Sequence, residues 1–139
     1  MSVWTHVAGV VRIDAIRFDP NDIPDFDGIF GKEWTFDDMW DDTHAYIEFE
    51  ENPDMFMPSG SESSLQKSVW INPDRNCMAS YVVTIFGDLR DYNAPDKIIE
   101  WFKECCKKVW VRQAVITVET EGKKPIVYDF CEKGTIEDV

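Results

Sequence analysis

Apolar and polar residues alternate through "WTHVAGVVRIDAIRF" (4–18), with Val7, Gly9, Val11 and Ile13 on one face and Arg12 and Asp14 on the other. This period of two predicts a half-buried strand. "NDIPDFDG" (21–28) reads as a loop punctuated by Pro, Gly and Asp. The period then changes in "TFDDMWDDTHAY" (35–46). At 100° per residue Phe36, Met39, Trp40, Thr43, Tyr46 and Ile47 share an arc of about 120°, and Asp37, Asp38, Asp41 and Asp42 take the other side. The pattern predicts a helix with Thr35 as N-cap, Asp38 closing the capping box and Trp34 stapled onto Met39. Its aromatic arc, Trp40 included, is expected to face the core.

A turn-rich connection (51–65) leads to a short strand, "KSVWI", and a turn, "NPDRN". "MASYVVTIFGDL" (78–89) is rich in β-branched and aromatic residues and predicts a central strand. "NAPDKIIEWFKECCKKVW" (93–110) is the clearest helix, with Asn93 as cap and Ile98, Ile99, Phe102, Cys105, Cys106 and Val109 as its buried stripe. Phe102 and Cys105 should pack on the strand bearing Val83 and Ile85. "VRQAVITVET", the turn "EGKKP" and "IVYDF" predict a closing hairpin. The order strand, helix, strand, strand, helix, strand, strand is that of a split β-α-β-β-α-β unit with an added edge strand. We therefore expect one α+β domain over residues 1–139: a ferredoxin-like sandwich, with two helices on one face of an antiparallel sheet of four to five strands. Such a fold hosts many unrelated activities.

Charge sharpens this picture. The chain of 139 residues carries a formal net charge of −13. Residues 19–54 hold thirteen acids against one base, Lys32, while the remainder holds fourteen acids against thirteen bases. One segment thus bears −12 of the charge. Direct binding of nucleic acid wants the opposite sign. No apolar run reaches membrane-spanning length, and the N-terminal stretch lacks the basic start of a signal peptide. These features lead to the expectation of a cytoplasmic protein with no membrane contact.

Chemistry-bearing motifs are sparse. Cys77, Cys105, Cys106 and Cys131 form no C-x-x-C pair and read as free, mostly buried thiols. "DFDG" fails as a calcium loop, because the EF-hand register would put Ile23 and Trp34 at the anchoring positions. His6 and His44, the only histidines, have no nucleophile beside them in sequence. No catalytic residue, metal site or cofactor is assigned. Two ligand-binding candidates remain. The loop with Ser59, Gly60, Ser61 and Ser63 can cradle an anion through N–H and hydroxyl groups, and Asp88, Arg90 and Asp91 in "GDLRDY" form either a binding corner or an Arg–carboxylate brace.

The acids of the helix and its continuation, Asp37, Asp38, Asp41, Asp42, Glu48, Glu50 and Glu51, are the candidate partner-binding residues. Helical residues four apart lie about 6 Å apart along the axis, comparable to phosphates along a nucleic-acid strand. Such a face can occupy the basic groove of a nucleic-acid-binding protein as a mimic or inhibitor. An inert, solubilising acidic face is the alternative.

"WTHVAGVVRIDAIRF", "PSGSESSLQ" and "YVVTIFGDLRDY" together resemble a group of small uncharacterised acidic proteins encoded by bacteriophages and prophages. The resemblance implies a phage setting, where small acidic proteins often inhibit host nucleic-acid enzymes or defence systems. It assigns no residue a role. The leading expectation is a non-enzymatic binding protein that contacts a basic surface on a host or phage protein. A small anionic-ligand binder and a phage structural or assembly component are the alternatives, and self-association stays open.

Overall fold

The N-terminal alternation builds the middle of the molecule. In the computed structural model, which describes residues 2–16, 19, 21–73 and 78–131, β1 (Trp4–Ile16) pairs antiparallel with β3 (Met78–Arg90) on one side and β4 (Trp110–Thr120) on the other. β2 (Gln66–Ile71) joins β3 and β5 (Ile126–Asp129) joins β4, giving five antiparallel strands in the order β2-β3-β1-β4-β5. Val11 stands opposite Val83 and Ala114, so one face collects Val7, Val11 and Ile13 with Tyr81, Val83, Ile85, Ala114, Ile116 and Val118, all buried. Slipping the register by one residue would turn this whole set to the other face, so its burial fixes the pairing.

Helical residues of both crossovers pack on that face. α1 (Phe26–Phe30), α2 (Phe36–Asp41), α3 (Thr43–Glu51) and a 3₁₀ turn at Pro53–Met55 lie between β1 and β2, and α4 (Pro95–Cys106) connects β3 to β4. Ile98, Ile99, Phe102, Cys105 and Cys106 of α4 join the same buried cluster as Val83 and Ile85, as the helical stripe requires. Phe30, Met57 and Leu65 bring the acidic segment and the connection after it into that cluster.

Several expectations change. The sequence pattern gave two helices; the described residues form four, because the first crossover is broken into short pieces. α4 is not capped by Asn93. Ala94 is its N-cap and offers no side-chain acceptor, while Pro95 starts the first turn, where its missing N–H is no loss. The "GDLRDY" stretch is not a link, since Gly87–Arg90 continues β3 and only Asp91, at φ 58°, turns the chain. "NDIPDFDG" contains the start of α1, capped by Asp25, whose side chain accepts from the Gly28 N–H. β3 is an interior strand, but β1 is the central one, and only one face of β3 is covered. Cys77 and part of "NPDRN" lie outside the described residues.

Candidate interaction surface

An acidic segment needs cations to hold it. Among the described residues, Lys67 and Lys32 are the cations that pair with its carboxylates. Lys67 sits on the covered face of β2, its side chain only 6 % exposed, and donates to Asp27 at 2.7 Å, to Glu33 and to the Gly31 carbonyl at 2.9 Å. Its ammonium thereby satisfies the C-terminal end of α1, where carbonyls lack helical partners. Gly31 is needed there: its φ of 102° suits glycine, and a Cβ would come within 2.8 Å of the Met57 nitrogen. Lys32 donates to Glu48 at 2.8 Å, which raises the lysine pKa and lowers that of the glutamate.

Between these anchors the expected single helix breaks in two. Thr35 and Asp38 form the predicted capping box, and Trp34 and Met39 are both buried. At Asp42, however, the backbone turns extended (φ −129°, ψ 97°), and the Asp42 carboxylate accepts from the His44 N–H to begin α3. The break resets the helical phase. Phe36, Trp40, Tyr46 and Ile47 therefore do not line a core arc; all four are exposed. Trp40 is 77 % exposed and stacks on Phe36, itself 53 % exposed, with ring centroids 5.9 Å apart and planes 23° apart. The inward residue of α3 is Phe49, which the single-helix reading missed; it packs on Trp34 and Phe56 at 4.9 and 5.3 Å.

The carboxylates divide by task. Asp38 closes a cap, Asp42 opens α3, Glu48 pairs with Lys32, and Glu50 accepts from the Tyr46 hydroxyl, raising the tyrosine pKa. Asp37 and Glu51 are exposed. The Asp41 side chain lies outside the described ones. α2 thus presents a stacked aromatic pair beside Asp37 and Asp38, and the carboxylates of α3 follow it along the chain.

The two ligand-binding candidates largely meet. The Gly60 loop lies against the end of β3: the Ser61 N–H donates to the Arg90 carbonyl at 3.1 Å, and a Cβ on Gly60 would fall 2.5 Å from that oxygen. Arg90 donates to Glu62 at 2.5 Å and to Ser2 Oγ at 3.0 Å, and lies 3.8 Å from Asp91, so its main carboxylate partner is Glu62 of the loop and not a residue of its own turn. Ser61, Ser63, Arg90 and Asp91 line a cleft of about 700 Å³ together with Thr35, Phe36, Asp37 and Glu62. The Ser59 backbone bridges to Ser64, and the Gly60 N–H donates to the Ser63 carbonyl. With these donors engaged and Asp37, Glu62 and Asp91 in its wall, the cleft is poorly suited to an anion.

Asp88 stands apart from that cleft. It accepts from His6 Nδ1 at 2.7 Å, while His6 Nε2 lies 3.2 Å from Glu121. These contacts, Asp88 first, raise the His6 pKa. Burial pushes the Cys105 and Cys106 thiols up to about 12, which leaves them protonated and unreactive at neutral pH. Among the described residues, no group of three or more His, Cys, Asp and Glu side chains is arranged to hold a metal, and no helix is long and apolar enough to cross a membrane.

Two outcomes follow from this geometry. Lys67→Met should lower stability by about 2 kcal/mol, since hydrogen bonds to charged groups contribute ~1.5–3 kcal/mol and the exposed Asp27 end is screened; urea denaturation measures it, and an unchanged midpoint would refute the tether. A raised His6 pKa means the His6 contribution is full below about pH 6.5 and is lost as pH rises through the higher folded value. The difference in melting temperature between wild type and His6→Gln should therefore shrink from pH 6 to pH 9, and a difference independent of pH contradicts this.

Comparison with protein-family models, curated proteins and solved structures found no match to this chain.

Proposed function

We propose that this chain is a binding protein without catalysis of its own, whose acidic segment engages the basic surface of a partner protein that handles nucleic acid. The exposed Phe36–Trp40 stack carries this reading. A solubilising face needs carboxylates but has no use for a tryptophan held in solvent. Interfaces, by contrast, draw most of their binding energy from a few aromatic anchors inside a polar rim. The carboxylates speed encounter and select a basic partner, and the ring pair supplies contact that outlasts it. Rings beside carboxylates also echo bases beside phosphates, which suits a protein groove built for single-stranded nucleic acid.

The setting is read as phage or prophage, acting in the cytoplasm of the host, on the resemblance given above. The fold is read as a ferredoxin-like variant. The order β2-β3-β1-β4, with α4 between β3 and β4, supports it, with β5 added outside and a fragmented first crossover. A small-anion binder is less favoured by the acidic walls of the Gly60 cleft, and an inert structural component by the exposed Trp40.

The test is retention of lysate proteins on the immobilised chain across a salt titration. Wild-type retention should weaken steeply with salt and be competed by single-stranded DNA. Trp40→Ala, and separately Asp37→Asn with Glu51→Gln, should reduce retention at least tenfold. Being surface changes, they should shift stability by less than about 0.5 kcal/mol. Retention equal to wild type in both variants would overturn the reading.

A further inference from the structure

The face of the sheet opposite the helices is uncovered by any described element, and its centre is apolar. Val10 is flanked in register by Thr84 and Val115, and Ala8 by Phe86 and Thr117. Phe86 is exposed, as is Trp70 beside Val82. Most of the charge stands at the two ends of the face; between them Asp129, beside Val115 on the edge strand β5, is the exception among the described residues. At one end Arg12 is exposed and hydrogen-bonded to Gln113 at 2.8 Å, with no ion pair to it among the described residues. At the other end, six residues back along β1, His6 lies between Asp88 and Glu119 in register.

We infer that this face is the interface of a homodimer, two copies packing sheet on sheet about a two-fold axis that lies between the sheets and across the strands. The axis passes over the Ala8–Val10 region and reverses strand direction, so each Arg12 meets the acidic Asp88–Glu119 end of its partner. Such an isologous contact is self-complementary in charge as well as in apolar surface. Five strands ~4.8 Å apart and about seven residues at ~3.3 Å give a patch of roughly 20 by 23 Å. With its side chains standing out, its accessible area is on the order of the ~800 Å² per partner of a stable interface. Two chains of net charge −13 repel, but the acidic segment packs on the opposite face. In this dimer the acidic layers are outermost and farthest apart, and both aromatic–acidic surfaces stay open. The inference does not depend on what those surfaces bind.

Sedimentation equilibrium of the full chain should give twice the 16.2 kDa chain mass at concentrations up to about 100 µM, where an interface of standard size is occupied. Thr84→Lys and Phe86→Lys, both at exposed positions, should sediment as single chains with wild-type circular dichroism. Arg12→Glu and Glu119→Lys should each weaken association at least tenfold, and an equimolar mixture of the two should associate again, because each restores opposite charges across both symmetric contacts. Single-chain mass for wild type at every concentration overturns the proposal, as does a dimer indifferent to both face lysines. Failure of the mixture to associate overturns the antiparallel, charge-matched arrangement.

Discussion

The Lys67 ammonium lies between Asp27, Glu33 and the Gly31 carbonyl on the covered face of an edge strand, and the placing of the acidic segment depends on it. A segment of charge −12 would repel itself off any surface that offered no cation. Lys67 fixes the end of α1 over β2, Lys32 then reaches Glu48 on α3, and between the two the chain enters its capping box at Thr35. Phe30 and Met57, buried in the main core on either side of the acidic helices, are the apolar counterpart of the same attachment. Electrostatics alone would not suffice, since Asp27 is largely exposed and its pair is screened. Burial of these side chains makes the lysine contacts geometrically available, and the contacts in turn decide which way the helices face.

That attachment explains why bulky side chains end in solvent. With α2 held by Met39 and α3 by Phe49, the inward positions of two short helices are already filled, and Phe36, Trp40 and Tyr46 have no core left to enter. The stacked Phe36–Trp40 pair recovers part of the lost apolar contact through ring packing. The chain therefore presents two unlike surfaces: an acidic aromatic one on the helical layer, and a mixed apolar one on the bare side of the sheet.

Strands were the legible part of the sequence. The alternation in residues 4–16 and the apolar stripe of α4 specify one covered face, and their register follows from burying it. The helix over 35–47 was misjudged because the apolar spacing is consistent with one phase, whereas Asp42 followed by Thr43 is also an N-cap signal, and the backbone takes that option. A second cue lay in Lys67, a lone charge sharing its face with Val69 and Ile71 on a strand of period two; a cation there calls for carboxylates from elsewhere. The meeting of the Gly60 loop with Arg90 was not legible at all. It depends on a backbone approach between segments thirty residues apart, which only glycine permits and which no local pattern announces.

Site-specific photo-crosslinking in the producing cell addresses the central claim most directly, namely that the exposed acidic aromatic surface is where a partner sits. A crosslinking phenylalanine analogue in place of Trp40 should yield a discrete adduct with a basic, nucleic-acid-handling protein, and the adduct should fade at high salt and with added single-stranded DNA. The same analogue at Lys124, in the turn between β4 and β5, should yield none. No adduct from position 40, or equal adducts from both positions, would contradict the account.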